Sequence, residues 1–114
     1  MRKLAVLALF LSLCCVSGAS AQRTPKITIS TVRIATPGHI DVQGSGFTPK
    51  HNVSSHLLKP DGTEYPVLPI LTDERGAFTH DIDTLLLEFG THELWVVDDS
   101  SKTPSNRVKF EVTP

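Results

Sequence analysis

Two-residue alternation at the C-terminal end constrains this chain more than anything else in it. His92, Leu94 and Val96 alternate with Glu93, Trp95 and Val97. After a polar loop at 98–106, Val108, Phe110 and Val112 alternate with Arg107, Lys109 and Glu111. Successive side chains of an extended strand point to opposite faces, so the pattern predicts a hairpin with one apolar side. Helical periodicity is nearly absent upstream, where short alternating runs recur every ten residues or so, at roughly the 8–12-residue spacing of sandwich strands. An all-β domain follows.

The first run, 26–35, changes parity between Ile27, Ile29 and Val32, Ile34, as a bulge or a switch between sheets near Ser30-Thr31 would produce. Ile40 and Val42 alternate with Asp41 and Gln43, and Gly44 and Gly46 then mark a bulge or a close backbone approach. Val53, Ser55 and Leu57 share a face of the next strand, which runs into the turn Pro60-Asp61-Gly62. Pro66 and Pro69 confine 65–71 to a sheet edge or an irregular crossing. Past the turn Asp73-Glu74-Arg75-Gly76, Phe78, His80 and Ile82 share one face, with Thr79, Asp81 and Asp83 opposite. Leu85-Leu86-Leu87 is too short for a stable helix and reads as an apolar crossover.

About seven short strands in one chain of this length match a two-sheet β-sandwich of immunoglobulin type. Its expected inward set is Ile27, Ile34, Ile40, Val42, Phe47, Leu57, Phe78, Ile82, Leu94, Val96, Val108, Phe110 and Val112. No repeat or low-complexity tract interrupts it.

Export is written at the other end. Met1-Arg2-Lys3 is a cationic start, 4–16 is apolar except for Ser12, and Ala19 and Ala21 are the small residues a signal peptidase accepts before Gln22. The expectation is a cleavable signal peptide at 1–21 and an exported domain at 22–114, periplasmic or secreted. The apolar run is shorter than the roughly 20 residues a membrane span needs. No stable membrane insertion is expected once it is removed. Cys14 and Cys15 both lie in the leader, so the mature domain is cysteine-free. Small secreted eukaryotic domains usually lean on disulfides, and their absence favours a bacterial protein. Losing Arg2 and Lys3 leaves nine basic against twelve acidic residues, with no basic run to follow a line of phosphates. Nucleic acid is therefore not an expected partner.

The residues 40–49, Ile-Asp-Val-Gln-Gly-Ser-Gly-Phe-Thr-Pro, resemble the alternating strand ending in Gly-x-Gly-Phe-x-Pro of small immunoglobulin-like domains in bacterial exported proteins. The IPT/TIG group is the best-known of these. Asp73-Glu74-Arg75-Gly76-Ala77-Phe78 is similar to their turn before a core phenylalanine, and 90–98 with 105–112 is similar to their closing hairpin. The resemblance implies a non-catalytic module used for spacing, adhesion or binding. One departure is visible: His92 stands where that pattern carries a tyrosine, so a tyrosine-corner bond is not carried over.

Chemistry-bearing constellations are sparse. His39, His51, His56, His80 and His92 show no i, i+2 or i, i+4 pairing of the kind zinc sites use, and no cofactor or metal is expected. Asp98-Asp99-Ser100-Ser101 reads as a solvated hairpin tip. Gly44-Ser45-Gly46 lacks the spacing of a nucleophile elbow, and no catalytic residue is assigned.

Trp95 is the sharpest functional signal, because the inward parity of Leu94 and Val96 sends it outward with Glu93 and Val97. Tryptophan is enriched at binding hot spots and stacks on flat ligands. The expected activity is therefore binding or structural support by a monomer, toward a protein or glycan partner. The contact surface would be Glu93, Trp95 and Val97 with the loops 98–106 and 48–52. One alternative is a carbohydrate module in which Trp95 and Tyr65 stack on sugar rings. The other is a small metal-handling or hydrolytic protein using the loop histidines and aspartates.

Overall fold

The computed structural model describes residues 24–114. The leader, its cleavage residues Ala19, Ala21 and Gln22, and the start of the mature domain at 22 and 23 lie outside the described residues. Among the described residues no helix is long and apolar enough to cross a membrane.

Nine strands form two packed sheets: β1 (Lys26–Ile29), β2 (Arg33–Ala35), β3 (His39–Ser45), β4 (Asn52–Leu58), β5 (Leu68–Leu71), β6 (Phe78–Asp83), β7 (Gly90–Asp98), β8 (Thr103–Pro104) and β9 (Val108–Thr113). One sheet has the order β1-β3-β6. The other has the order β2-β9-β7-β4-β5, with β8 paired to β7. Of the seven strands of four or more residues, the first, second and fifth lie on one side and the third, fourth, sixth and seventh on the other, an immunoglobulin-like arrangement.

The parity change in 26–35 is a switch between sheets. β1 pairs antiparallel with β3, and three residues later β2 pairs parallel with β9, Arg33 opposite Glu111 and Ala35 opposite Thr113. Ile27 is buried and Ile29 and Ile34 pack against the core, while Val32, in the link between the two strands, stays 69% exposed.

All thirteen expected inward residues lie in the core or against it, joined by buried Val53 and by Ile70 and Leu87 at its margin. Phe47 and Phe78 meet at its centre with ring centroids 5.4 Å apart. Gly44 explains how Phe78 fits: it sits directly across from Phe78 in the β3–β6 ladder, and the ring occupies the space a β-carbon there would fill. Gly46 adopts φ +79° with the Thr24 carbonyl pressed against its α-carbon, a conformation and a clearance that favour glycine.

The apolar crossover is a single 3-10 turn, Thr84–Leu86, capped by the Asp83 carboxylate, which accepts from the Leu85 N–H at 3.0 Å. β5 is an edge strand of the larger sheet, and β6 an edge strand of the smaller one. The proline-bearing segment therefore falls where its missing donors cost no ladder bonds.

Candidate binding face

β7 has β9 on one side and β4 on the other. Its alternation buries His92, Leu94, Val96 and Asp98 and leaves Glu93, Trp95 and Val97 half-buried on the outer face. Register then decides what Trp95 meets. His56 of β4 lies directly across from it, and the two rings stack with centroids 5.1 Å apart and planes 4° from parallel. On the β9 side, one residue beyond the Leu94–Val108 pair, Arg107 lays its guanidinium carbon 4.0 Å from the indole centroid.

Both flanking groups are held in turn. His56 Nδ1 lies 3.0 Å from Glu64 Oε1, and Arg107 Nη1 lies 3.7 Å from Glu93 Oε2. Such a cation over an indole is worth about 0.5–1 kcal/mol at an exposed site, and the geometry also fixes the indole orientation. Among the described residues nothing accepts the indole N–H. Sequence reasoning missed His56 and Arg107, because ring contacts across strands follow from register, which a single sequence leaves open.

Tyr65 is not on this face. It follows Glu64, whose side chain takes the outer side, and turns inward to stack on buried His92 at 5.8 Å; His92 stacks on Phe110 at 5.2 Å. The joint Trp95–Tyr65 sugar platform is therefore corrected: Tyr65 stacks on inward-facing His92, while Trp95 takes the outer face of β7. The hydrogen bonds assign the histidine tautomer. Nδ1–H donates to the Gly90 carbonyl at 3.1 Å, leaving Nε2 to accept from the Tyr65 hydroxyl at 3.2 Å. The Tyr65 oxygen accepts the Glu88 N–H at 2.9 Å. A tyrosine-to-backbone bond thus exists, supplied by Tyr65 and not by position 92. Burial holds the His92 pKa below its ordinary value, against the opposing pull of the Gly90 carbonyl and the Glu88 charge.

The Asp98 end of the hairpin is also corrected. Asp98 is 2% exposed, not a solvated tip residue. Its carboxylate accepts from the Thr48 N–H and hydroxyl, both at 2.8 Å, and from the Ser100 N–H at 3.0 Å. Burial alone would raise its pKa, but the Thr48 and serine hydrogen bonds outweigh that and hold it below the usual value. Asp99 accepts from the Ser54 hydroxyl at 2.7 Å. The loops 48–52 and 98–106 are consequently tied to each other beside Val97, at one end of the Trp95 face.

The histidines are dispersed. His39 pairs with Asp81 at 3.0 Å, His51 is exposed, and His80 faces the space between the sheets. Among the described residues no three His, Cys, Asp or Glu side chains gather as a metal site would need.

No family model matches this chain, and no curated protein matches it. Solved structures do. The CARDB domain of a Pyrococcus furiosus protein, described in complex with di-metal ions, is 10% identical with a TM-score of 0.48, over 79% of this chain and 86% of that one. The PKD domain of an M14-like peptidase from a Thermoplasmatales archaeon is 16% identical with a TM-score of 0.44, over 80% and 94%. The cell-surface-expressed multi-modular chitinase ChiW of Paenibacillus is 15% identical with a TM-score of 0.46, over 81% of this chain and 8% of that one.

Proposed function

We propose that this chain is an exported, non-catalytic immunoglobulin-like module, of the IPT/TIG kind, that binds a protein partner through the outer face of its larger sheet. One observation carries the reading. Trp95 is held rigidly between His56 and Arg107 while its indole N–H has no acceptor among the described residues. Tryptophan and arginine are the residues most enriched where binding energy concentrates, and a side chain already fixed loses little freedom on docking. With both ring faces occupied, a sugar ring would have to displace Arg107 or His56 before it could stack. A protein surface can instead meet the free indole edge with a carbonyl or carboxylate. The dispersed histidines and the fully engaged Asp98 give a hydrolytic or metal-handling reading no constellation to use.

Cross-linked capture from a native envelope fraction tests this. A partner recovered by the natural protein should be lost with Trp95→Ala and reduced with Arg107→Ala, and retained with Asp41→Asn on the outer face of the smaller sheet. Equal recovery by Trp95→Ala would refute the assignment of this face. Export is tested separately by mass spectrometry of the mature N-terminus, which should begin at Gln22.

A further inference from the structure

The two edge strands β5 and β6 do not close on each other, and the interior is open between them. A cavity of about 260 Å³ enters there. Its walls include Leu57 and Leu94 from the larger sheet, Ile82 from the smaller and Leu87 from the crossover, with Leu68 and Leu86 at its lip. Leu86 is 79% exposed at that lip.

Of the polar side chains along this lining, Tyr65, Asp81 and Asp83 are engaged with His92, His39 and the Leu85 N–H, and two are not. Ser55, on the inward parity of β4, is only 7% exposed, and its hydroxyl makes no hydrogen bond among the described residues. A buried hydroxyl without a partner is uncommon in native proteins and calls for one. His80, on the inward parity of β6, likewise has no hydrogen-bond partner for its ring among the described residues. Burial keeps it neutral near pH 7, against the pull of Asp81, so it can donate from one nitrogen and accept at the other.

Water alone fits poorly. An ordered water wants two to four polar partners, and in a cleft that holds several waters the side chains left unengaged are those of Ser55 and His80. Asp81 and Asp83 also line the opening, and no lysine or arginine does, so an anionic head group is disfavoured.

We infer that the cleft between β5 and β6 binds a small, neutral, largely apolar molecule bearing a hydroxyl, held at Ser55 and His80 with its apolar part against Leu57, Leu94 and Leu86. Scaling from a cavity of roughly 150 Å³ that takes benzene, the ligand has on the order of ten non-hydrogen atoms. This site lies on the opposite side of β4 and β7 from Trp95, so it stands or falls independently of the partner-binding face.

The test is a titration of the purified, isotope-labelled protein with 1-hexanol and with hexanoate, followed by amide chemical shifts. Saturable shifts centred on Ser55, Leu57, His80 and Leu94 are expected with 1-hexanol, and about ten-fold weaker binding of hexanoate. Ser55→Ala should weaken 1-hexanol by about five-fold, the equivalent of one hydrogen bond, while leaving the melting temperature unchanged or raised. Leu86→Asp, an exposed lip position that cannot disturb the core, should abolish saturation. Shifts that never saturate, equal binding of hexanoate, or an affinity untouched by both variants would each overturn the proposal and leave a water-filled cleft.

Discussion

Three residues apart on β7, on opposite faces, stand two stacks of the same composition in outline: a histidine, a large aromatic ring and a third planar group. Inside, His92 lies between Tyr65 and Phe110, and each of its nitrogens has a partner in the Gly90 carbonyl or the Tyr65 hydroxyl. Outside, Trp95 lies between His56 and Arg107, held by carboxylates that solvent screens, with no acceptor for its own N–H among the described residues. The inner stack is finished and the outer one is not. Shape does not separate structure from recognition here. Satisfaction of the polar atoms does.

The sharpest way to break that contrast is to truncate both centres. His92→Ala empties a fully buried site and should cost about 3 kcal/mol. In a domain of this size that lowers the melting temperature by about 15 °C. Trp95→Ala should cost clearly less, and equal losses in thermal melts would mean the outer stack is structural too.

pH separates the stacks next. His92 and His80 both have folded pKa values below the ordinary histidine value of 6.5, each mainly because of burial. The unfolded chain therefore takes up protons first, so their contribution is full above about pH 6.5 and is lost as pH falls toward the folded values. Denaturant titrations at pH 7.5 and 5.5 should show this loss, and His92→Phe should flatten it. Asp98 stays outside that window. Its lowered carboxylate contributes above the ordinary aspartate value of 3.8 and loses that contribution only as pH falls through its folded pKa.

Tyr65→Phe removes one hydroxyl and orphans the Glu88 N–H and His92 Nε2. A loss of about 1 kcal/mol by chemical denaturation is expected. The smallest effect belongs to the outer stack. Arg107→Ala should cost about 0.5 kcal/mol, yet shift Trp95 emission to longer wavelength and admit quencher, because one indole face is uncovered. Unchanged emission would show that Arg107 does not cover the ring in solution.

Strand positions and facing were legible because alternation reports them directly. Even the transfer of the first segment between sheets is written in the parity change from Ile27 and Ile29 to Ile34, although Val32 itself stays exposed ahead of β2. Asp98 was legible in principle: it continues the inward series His92, Leu94, Val96, and its neighbours Asp99, Ser100 and Ser101 masked that parity behind a turn-like composition. Tyr65 was not legible, since it sits between a turn and two prolines where no period applies. The His56–Trp95–Arg107 stack and the Ser55–His80 cleft depend on pairing between distant strands, which local sequence does not encode.

The division of the first segment between sheets has a mechanical consequence. β2 and β9 run parallel, so residues 24 and 114 leave the domain at opposite poles. Asn106 also clamps β1, its side chain accepting from the Ile27 N–H at 2.8 Å and donating to the Ile27 carbonyl at 3.1 Å. A pull between the two ends runs along the strands and loads the β1–β3 and β2–β9 ladders in shear. Under such a pull their bonds would have to yield together and not one after another.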